Sequence, residues 1–191
     1  MRKTSEKGDA MREDIVQAAL ALFLEKGYEG TSIRMIQSKV GREVGLFYYY
    51  FASKEAVLEA AIERFFASYE QTMQCIVRRE EEPEKILTEY IDYIAQTACE
   101  FRQRYRLQLH WSMLSAIREY MLKIMRRDIS EILQRYLRKG IVSQPQLGLE
   151  TTADLLAFGV GGSILYQEND SYTAQRDHLY QVIPLLLKGR Q

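Results

Sequence analysis

Thr31–Glu55 reads TSIRMIQSKVGREVGLFYYYFASKE, and this stretch decides the fold. Ile33, Ile36 and Val40 recur at i, i+3 and i+7, which marks the buried stripe of a short helix. Thr31 stands before them as the expected N-cap, and Gly41 follows them where a helix closes on a left-handed residue. Val44, Phe47 and Phe51 repeat the same spacing at once. Ser53 then caps a third, longer helix that opens with Lys54 and Glu55. Two short helices joined by a tight turn containing glycine form a helix-turn-helix pattern, whose second helix is the one that enters a DNA groove. With Val44, Phe47 and Phe51 inward, helical geometry turns Gly45, Leu46, Tyr49 and Tyr50 outward and leaves Tyr48 on the flank. An outward face carrying large aromatic side chains and no acid is costly unless something covers it. The alternative is that these tyrosines pack on the following helix, and Tyr48 can bury its ring while its hydroxyl stays exposed.

Working outward, the rest of the chain reads as helical. Its 191 residues include only three prolines and eleven glycines, and 47% are apolar, enough for a substantial core. No run alternates apolar and polar residues at the strand period, so the expected class is all-α, in one domain or two small ones. Helix 1 is expected from about Asp9 to Lys26, with Ile15, Ala19, Leu22 and Phe23 inward and Gly27 closing it. Residues 1–9 read as a mobile tail. Helix 4 is expected from Ser53 to about Arg79. Pro83 favours a fresh helix start, and the helix from Glu84 to Phe101 has two apolar stripes, Leu87, Ile91, Ile94, Ala98 and Ile86, Tyr90, Tyr93, Thr97. The bulky segment LQLHWSMLSAI, residues 107–117, precedes a separate helix from Glu119 to Arg138. A loop containing Gly140, Pro145 and Gly148 leads to a helix from Glu150 to Gln167, where Gly159, Gly162, Ser163 and Tyr166 share one face. Small residues on one face let another helix approach closely. A last helix carries Leu179, Val182, Ile183 and Leu186 in a stripe, with a kink at Pro184.

Charge and motif content narrow the function. The formal net charge is zero, and residues 1–54 hold nine Lys or Arg against seven Asp or Glu, so non-specific DNA binding should be weak. No stretch of 18 apolar residues is present, so no membrane span is expected. The amino terminus, MRKTSEKGDA, lacks the apolar core of a signal peptide, and a cytoplasmic location is expected. Cys75 and Cys99 have no metal-ligand spacing and read as free thiols in a reducing compartment. His110 and His178 form no H-x-x-x-H pair, there is no G-x-S-x-G, and the GVGG at 159–162 follows no strand. No enzyme activity, cofactor or metal is therefore expected.

Residues 27–36 (GYEGTSIRMI) and 40–58 (VGREVGLFYYYFASKEAVL) resemble the amino-terminal DNA-binding domain of the TetR family of transcription regulators. The family pattern matches at Gly27, Tyr28, Thr31, Ser32, Ile33, Gly41, Gly45, Tyr48, Phe51, Lys54 and Glu55, with Phe47 at its Leu position. The resemblance runs from Met11 to about Phe65. It departs at Gln37, where the family usually has Ala, so a long side chain must bend outward or widen the helix crossing. It also departs at Arg42 and Glu43, which replace an apolar and a small hydroxyl residue in the turn. An acid at Glu43 suits a helix N-terminus but sits badly beside phosphate.

The resemblance implies a three-helix helix-turn-helix domain over residues 10–54 and a carboxy-terminal helical bundle over 55–191, with helix 4 joining them. It implies a homodimer that reads a pseudo-palindromic double-stranded operator, expected to act as a repressor. It places Thr31, Ser32, Val44 and Gly45 at the DNA. Tyr48, Tyr49 and Lys54 would hold phosphates, Arg34 would reach a guanine edge, and Leu46 a thymine methyl. It further implies a small-molecule effector bound in the carboxy-terminal bundle, for which Tyr90, Tyr93, Thr97, His110, Trp111, Met113 and Met121 are the candidate contacts. Dimer pairing through the last two long helices would use Leu155, Gly159, Gly162, Ser163, Tyr166, Leu179, Val182, Ile183 and Leu186. The competing reading is a constitutive dimeric DNA-binding protein with a solid carboxy-terminal core. Most aromatic and Met stripes in a bundle are plain core, and a lone histidine such as His110 is more often packed than functional.

Overall fold

The computed structural model describes residues 2–105, 109–141, 147–166 and 180–181. Its elements are α1 (Arg2–Lys26), α2 (Ile33–Val40), α3 (Val44–Tyr50), α4 (Lys54–Val77), α5 (Pro83–Tyr105), α6 (Trp111–Arg138), α7 (Leu149–Asp154), a π-helical segment (Leu155–Gly161) and α8 (Gly162–Tyr166). No strand occurs among the described residues, and the protein is all-α. The chain divides into two compact units: Met1–Ser68 with Tyr105–Ile117, and Tyr69–Arg104 with Arg118–Gln191.

In the first unit, α1 begins at Arg2 rather than near Asp9. The sequence from Arg2 to Ala10 has no proline, and Gly8 alone, at about 1 kcal/mol against Ala, does not stop a helix. Ile15, Ala19, Leu22 and Phe23 are buried as the periodicity requires. Gly27 ends α1 at φ 74°, with its amide donating to Phe23 O at 2.9 Å. The N-cap of α2 is Ser32, not Thr31: the Ser32 hydroxyl accepts from the Met35 amide at 3.2 Å. Thr31 is buried, and its hydroxyl donates back to Gly27 O at 2.9 Å. Gly41 closes α2 at φ 73°, and the Arg42 amide donates to Gln37 O at 3.0 Å, the six-to-one bond of a Schellman cap.

Of the two outcomes open to Gln37 one is excluded, and the expectation for Val44 changes. Gln37 does not bend outward. It is fully buried, and neither its Nε2 nor its Oε1 has a hydrogen-bond partner among the described residues. Val44 is 37% exposed rather than inward, while Phe47 and Phe51 are buried. The reason is the shortness of α3: Phe51 is already extended, at φ −135° and ψ 127°, so the i, i+3, i+7 row never completes as a helical face. Phe47 anchors the helix, stacking against Phe51 with ring centroids 5.8 Å apart. Ser53 caps α4 by accepting from the Ala56 amide at 3.2 Å.

In the second unit, Pro83 opens α5, and both expected stripes are buried apart from half-buried Tyr93. The break expected before Glu119 is absent. α6 runs unbroken from Trp111 to Arg138, because MLSAIREYMLK, residues 113–123, contains neither Gly nor Pro and is rich in helix formers. The expected helix from Glu150 to Gln167 is instead α7, the π-helical segment and α8. Glycines at 159, 161 and 162 loosen the backbone there, and the Ser163 hydroxyl donates to Gly159 O at 2.7 Å. Gly161 admits α6: a Cβ on it would lie 2.5 Å from Met125 Cε. The stripe of Leu179, Val182, Ile183 and Leu186, and Pro184, lie outside the described residues.

Candidate DNA-reading surface

The reading surface is built on a fixed base and an exposed face. Phe47 and Ile36 supply the base, since both are fully buried. Tyr48 is 58% exposed and Tyr49 80% exposed. Their rings stack edge-on against chain neighbours, Tyr48 on Phe47 at 5.5 Å and Tyr49 on half-buried Tyr50 at 4.9 Å. Ring contacts of this kind restrict the side chains while leaving the hydroxyls in solvent. Ser32, Arg34 and Gly45 are exposed, and Leu46 is half-buried. Glu43 is the N-cap residue of α3 but its side chain makes no capping bond. The face therefore presents aromatic, apolar and cationic groups, with one acid at its edge.

Lys54, expected to hold a phosphate, is also engaged within the domain. Its ammonium donates to Tyr28 O at 2.7 Å and Thr31 O at 2.9 Å, and lies 4.0 Å from the centroid of the Tyr28 ring. An ammonium has three donors, so two are committed to the turn between α1 and α2. Tyr28 is the centre of that turn. Its hydroxyl donates to the Glu55 carboxylate, a residue adjacent to Lys54. This hydrogen bond, ahead of a second from Ser53, holds the Glu55 carboxyl down at about 2. Partial burial, then Glu55, pushes the Tyr28 hydroxyl up to about 12. The sequence marks Tyr28 only as one position of the family pattern, and nothing in its spacing shows that it joins α1 to α4.

The seven candidate effector contacts do not fall in one unit. His110, Trp111 and Met113 belong to the first unit, and Tyr90, Tyr93, Thr97 and Met121 to the second. His110 is exposed and sits against Gly27, while Trp111 is 68% exposed and Met113 is buried. Tyr90 is fully buried, with its hydroxyl donating to Asp128 Oδ2 at 3.0 Å. Its partner Asp128 is outside the candidate contacts that the sequence suggests. It is a fully buried acid whose Oδ1 also accepts from Gln74 at 2.7 Å and Arg127 at 2.9 Å. Arg127 reaches Glu70 at 2.9 Å, and Tyr120 donates to Glu70 at 3.1 Å. Burial pushes the Asp128 carboxyl above its ordinary value against the pull of Arg127 and Tyr90, and burial with the Asp128 charge pushes Tyr90 well above its own. The missed signal is Asp128's place in the apolar row Met121, Met125, Asp128, Ile132, where a polar residue is out of pattern.

Of the candidate pairing residues, Leu155 and Tyr166 are exposed, as are Gly159 and Ser163, and Gly162 is half-buried. Phe158, outside the expected set, is exposed beside them. No atom lies within 4 Å of where a Cβ on Gly159 or Gly162 would stand.

Residues 15–61 match the family model described as bacterial regulatory proteins, tetR family. The amino-terminal segment is thus that of a TetR-type DNA-binding domain. Among characterised TetR-like relatives, the repressor NicS of Pseudomonas putida is 30% identical over 96 residues, which cover 49% of this chain and 45% of NicS. The chain thus matches less than half the length of that relative. The likeness of fold extends further in solved structures. RolR in complex with resorcinol superposes with a TM-score of 0.60 at 17% identity, covering 97% of this chain and 91% of RolR. The FadR regulator of Bacillus subtilis in complex with stearoyl-CoA superposes with a TM-score of 0.57 at 19% identity, covering 94% of this chain and 99% of FadR. At these identities the likeness is one of fold. No described helix is long and apolar enough to cross a membrane.

Proposed function

We propose that this protein is a homodimeric transcription repressor of the TetR family that reads a pseudo-palindromic operator with α3 and releases it when a small molecule binds the second unit. The observation that carries the reading is the exposed α3 face, with Tyr48 and Tyr49 at 58% and 80% exposure on a helix fixed by buried Phe47. Such a face is stabilised only when covered. Tyr48 and Tyr49 hold phosphates through their hydroxyls, which position without specifying sequence. Arg34, Leu46, Val44 and Gly45 approach base edges. Thr31 and Lys54 act chiefly by shaping the turn ahead of α2, with the third donor of Lys54 available to a phosphate.

The exposed row of Leu155, Phe158, Gly159, Ser163 and Tyr166 supports pairing of two chains, since apolar side chains beside open glycines favour close helix approach. Effector binding in the second unit draws support from the ligand-bound RolR and FadR structures, whose fold this chain shares. Tyr93, Thr97 and Met121 are the candidate contacts, alongside the Tyr90–Asp128 pair. A coupling of about 1–3 kcal/mol between effector and operator is enough to release the DNA.

Selection of bound duplexes from a random pool, followed by sedimentation of the protein on the recovered fragment, tests the proposal. One pseudo-palindrome bound by two chains is the expected result. A single chain per duplex, or no enriched sequence, would sink it.

A further inference from the structure

We propose that His110 and Ser112 are positioning residues for operator reading. They seat the turn Gly27–Thr31 that launches α2, and so fix where α2 and α3 stand. The inference rests on the DNA-reading proposal above and adds to it residues far from the helix-turn-helix in sequence.

The contact is close and directional. Gly27 has φ 74°, and a Cβ there would lie 2.6 Å from His110 Cγ, 2.7 Å from its Cβ and 2.8 Å from its Nδ1. No side chain fits between this backbone and the imidazole. Ser112 orients that ring: its hydroxyl oxygen lies 2.8 Å from His110 Nδ1, and its amide donates to the same nitrogen at 3.3 Å. The Ser112 hydroxyl oxygen in turn accepts from the Tyr28 amide, a long bond of 3.4 Å. Several other polar groups of the turn are engaged within it or by α4. The Thr31 amide and Lys54 both donate to Tyr28 O, Lys54 also donates to Thr31 O, and the Thr31 hydroxyl donates to Gly27 O. The turn is thus gripped by α4 through its carbonyls and by the start of α6 through one amide and one glycine.

The grip is polar and lies near solvent. His110 and Trp111 are exposed, while the apolar anchors of the same segment are buried Met113 and Ile117. Burial of Met113 and Ile117 holds the segment in place. The His110–Ser112 pair decides how the turn is set against it. Loss of the pair should therefore change the placement of α2 and α3 more than it changes stability.

The test uses the full chain with His110→Ala, Ser112→Ala and Ser112→Thr. Each is titrated at one salt concentration with the duplex recovered by selection and with a scrambled duplex, and each is melted. His110→Ala and Ser112→Ala should weaken operator binding about five-fold, the weight of one neutral hydrogen bond. Binding to the scrambled duplex should stay at the wild-type value, and the melting midpoint should fall by no more than about 2–4 °C, the weight of one such bond in a chain of this size. Ser112→Thr keeps the hydroxyl and should restore the wild-type preference. An operator-to-scrambled ratio unchanged in both alanine variants overturns the positioning role, whether or not the melting point falls. If the wild-type protein itself shows no preference, the DNA-reading proposal falls and takes this inference with it.

Discussion

Gln37→Met should stabilise the protein. Gln37 is fully buried where the family pattern has alanine, and both polar atoms of its amide lack a partner among the described residues. A buried polar group left unpaired costs about 1–3 kcal/mol. Methionine has the same length and similar volume, so the substitution removes that cost without opening a cavity. The expected gain is about 1–3 kcal/mol, and in a chain of this size about 2–4 °C of melting temperature follows each kcal/mol. Gln37→Ala is the informative control. It also removes the amide, but it gives up two buried methylenes, about 0.8 kcal/mol each, and leaves a void. Its net effect should lie near zero. Urea unfolding followed by helical circular dichroism, with the slope compared among the three proteins, gives the free energies directly. The reasoning is refuted if Gln37→Met lowers stability by 1 kcal/mol or more at unchanged slope, since the amide would then be making bonds in solution that the methionine cannot.

Other outcomes follow from the polar groups of the two units. Asp128→Ala removes the shared acceptor of Tyr90, Gln74 and Arg127, and stability should fall by about 2–3 kcal/mol, with the half-exposed Arg127 contributing least; a loss under 0.5 kcal/mol in the same urea titration would contradict the role given to this network. Lys54→Met deletes two bonds to the carbonyls of the turn and should cost about 2 kcal/mol, measured as a lowered melting midpoint even without DNA; an unchanged midpoint would mean that the lysine serves phosphate alone. The Glu55 carboxyl sits at about 2, below its ordinary 4.5, chiefly because the Tyr28 hydroxyl donates to it. A lowered folded value favours the charged form, so this tie contributes fully above pH 4.5 and is lost as pH falls through about 2. The stability gap between wild type and Tyr28→Phe should accordingly narrow on acidification across that window, and a gap constant with pH would show that Glu55 does not depend on Tyr28.

The parts of the fold legible in the sequence are those fixed by local rules. Gly27 and Gly41 end their helices because the backbone turns left-handed there, and the face of Ile15, Ala19, Leu22 and Phe23 is buried because a 3.6-residue period leaves no other inward face. Pro83 opens α5 for an equally local reason. The burial of Gln37 is not legible, because bending outward and widening the helix crossing both satisfy the same spacing, and only packing chooses between them. Val44 departs from its expected inward face because a row of three apolar residues says nothing of where a helix stops, and α3 stops at Tyr50. The π-helical segment follows from a widened turn among glycines that also fit an ordinary helix. For the site, the exposed tyrosines could be read directly from helical geometry. Lys54 could not, as its partners Tyr28 and Thr31 lie more than twenty residues away. His110 and Ser112 were hidden for the same reason, at 84 residues from Tyr28 for Ser112. Asp128 was visible as a break in an apolar row but was lost among the charges of α6.

The central claim is that the outward face of α3 reads sequence. The direct test is selection from a fragmented genomic pool run in parallel with the wild-type protein and with a Leu46→Ala, Tyr49→Ala variant, at the same salt. The account predicts that wild type enriches one pseudo-palindrome, and that the variant retains only salt-sensitive, unselective binding. The same motif enriched equally by both proteins would contradict it.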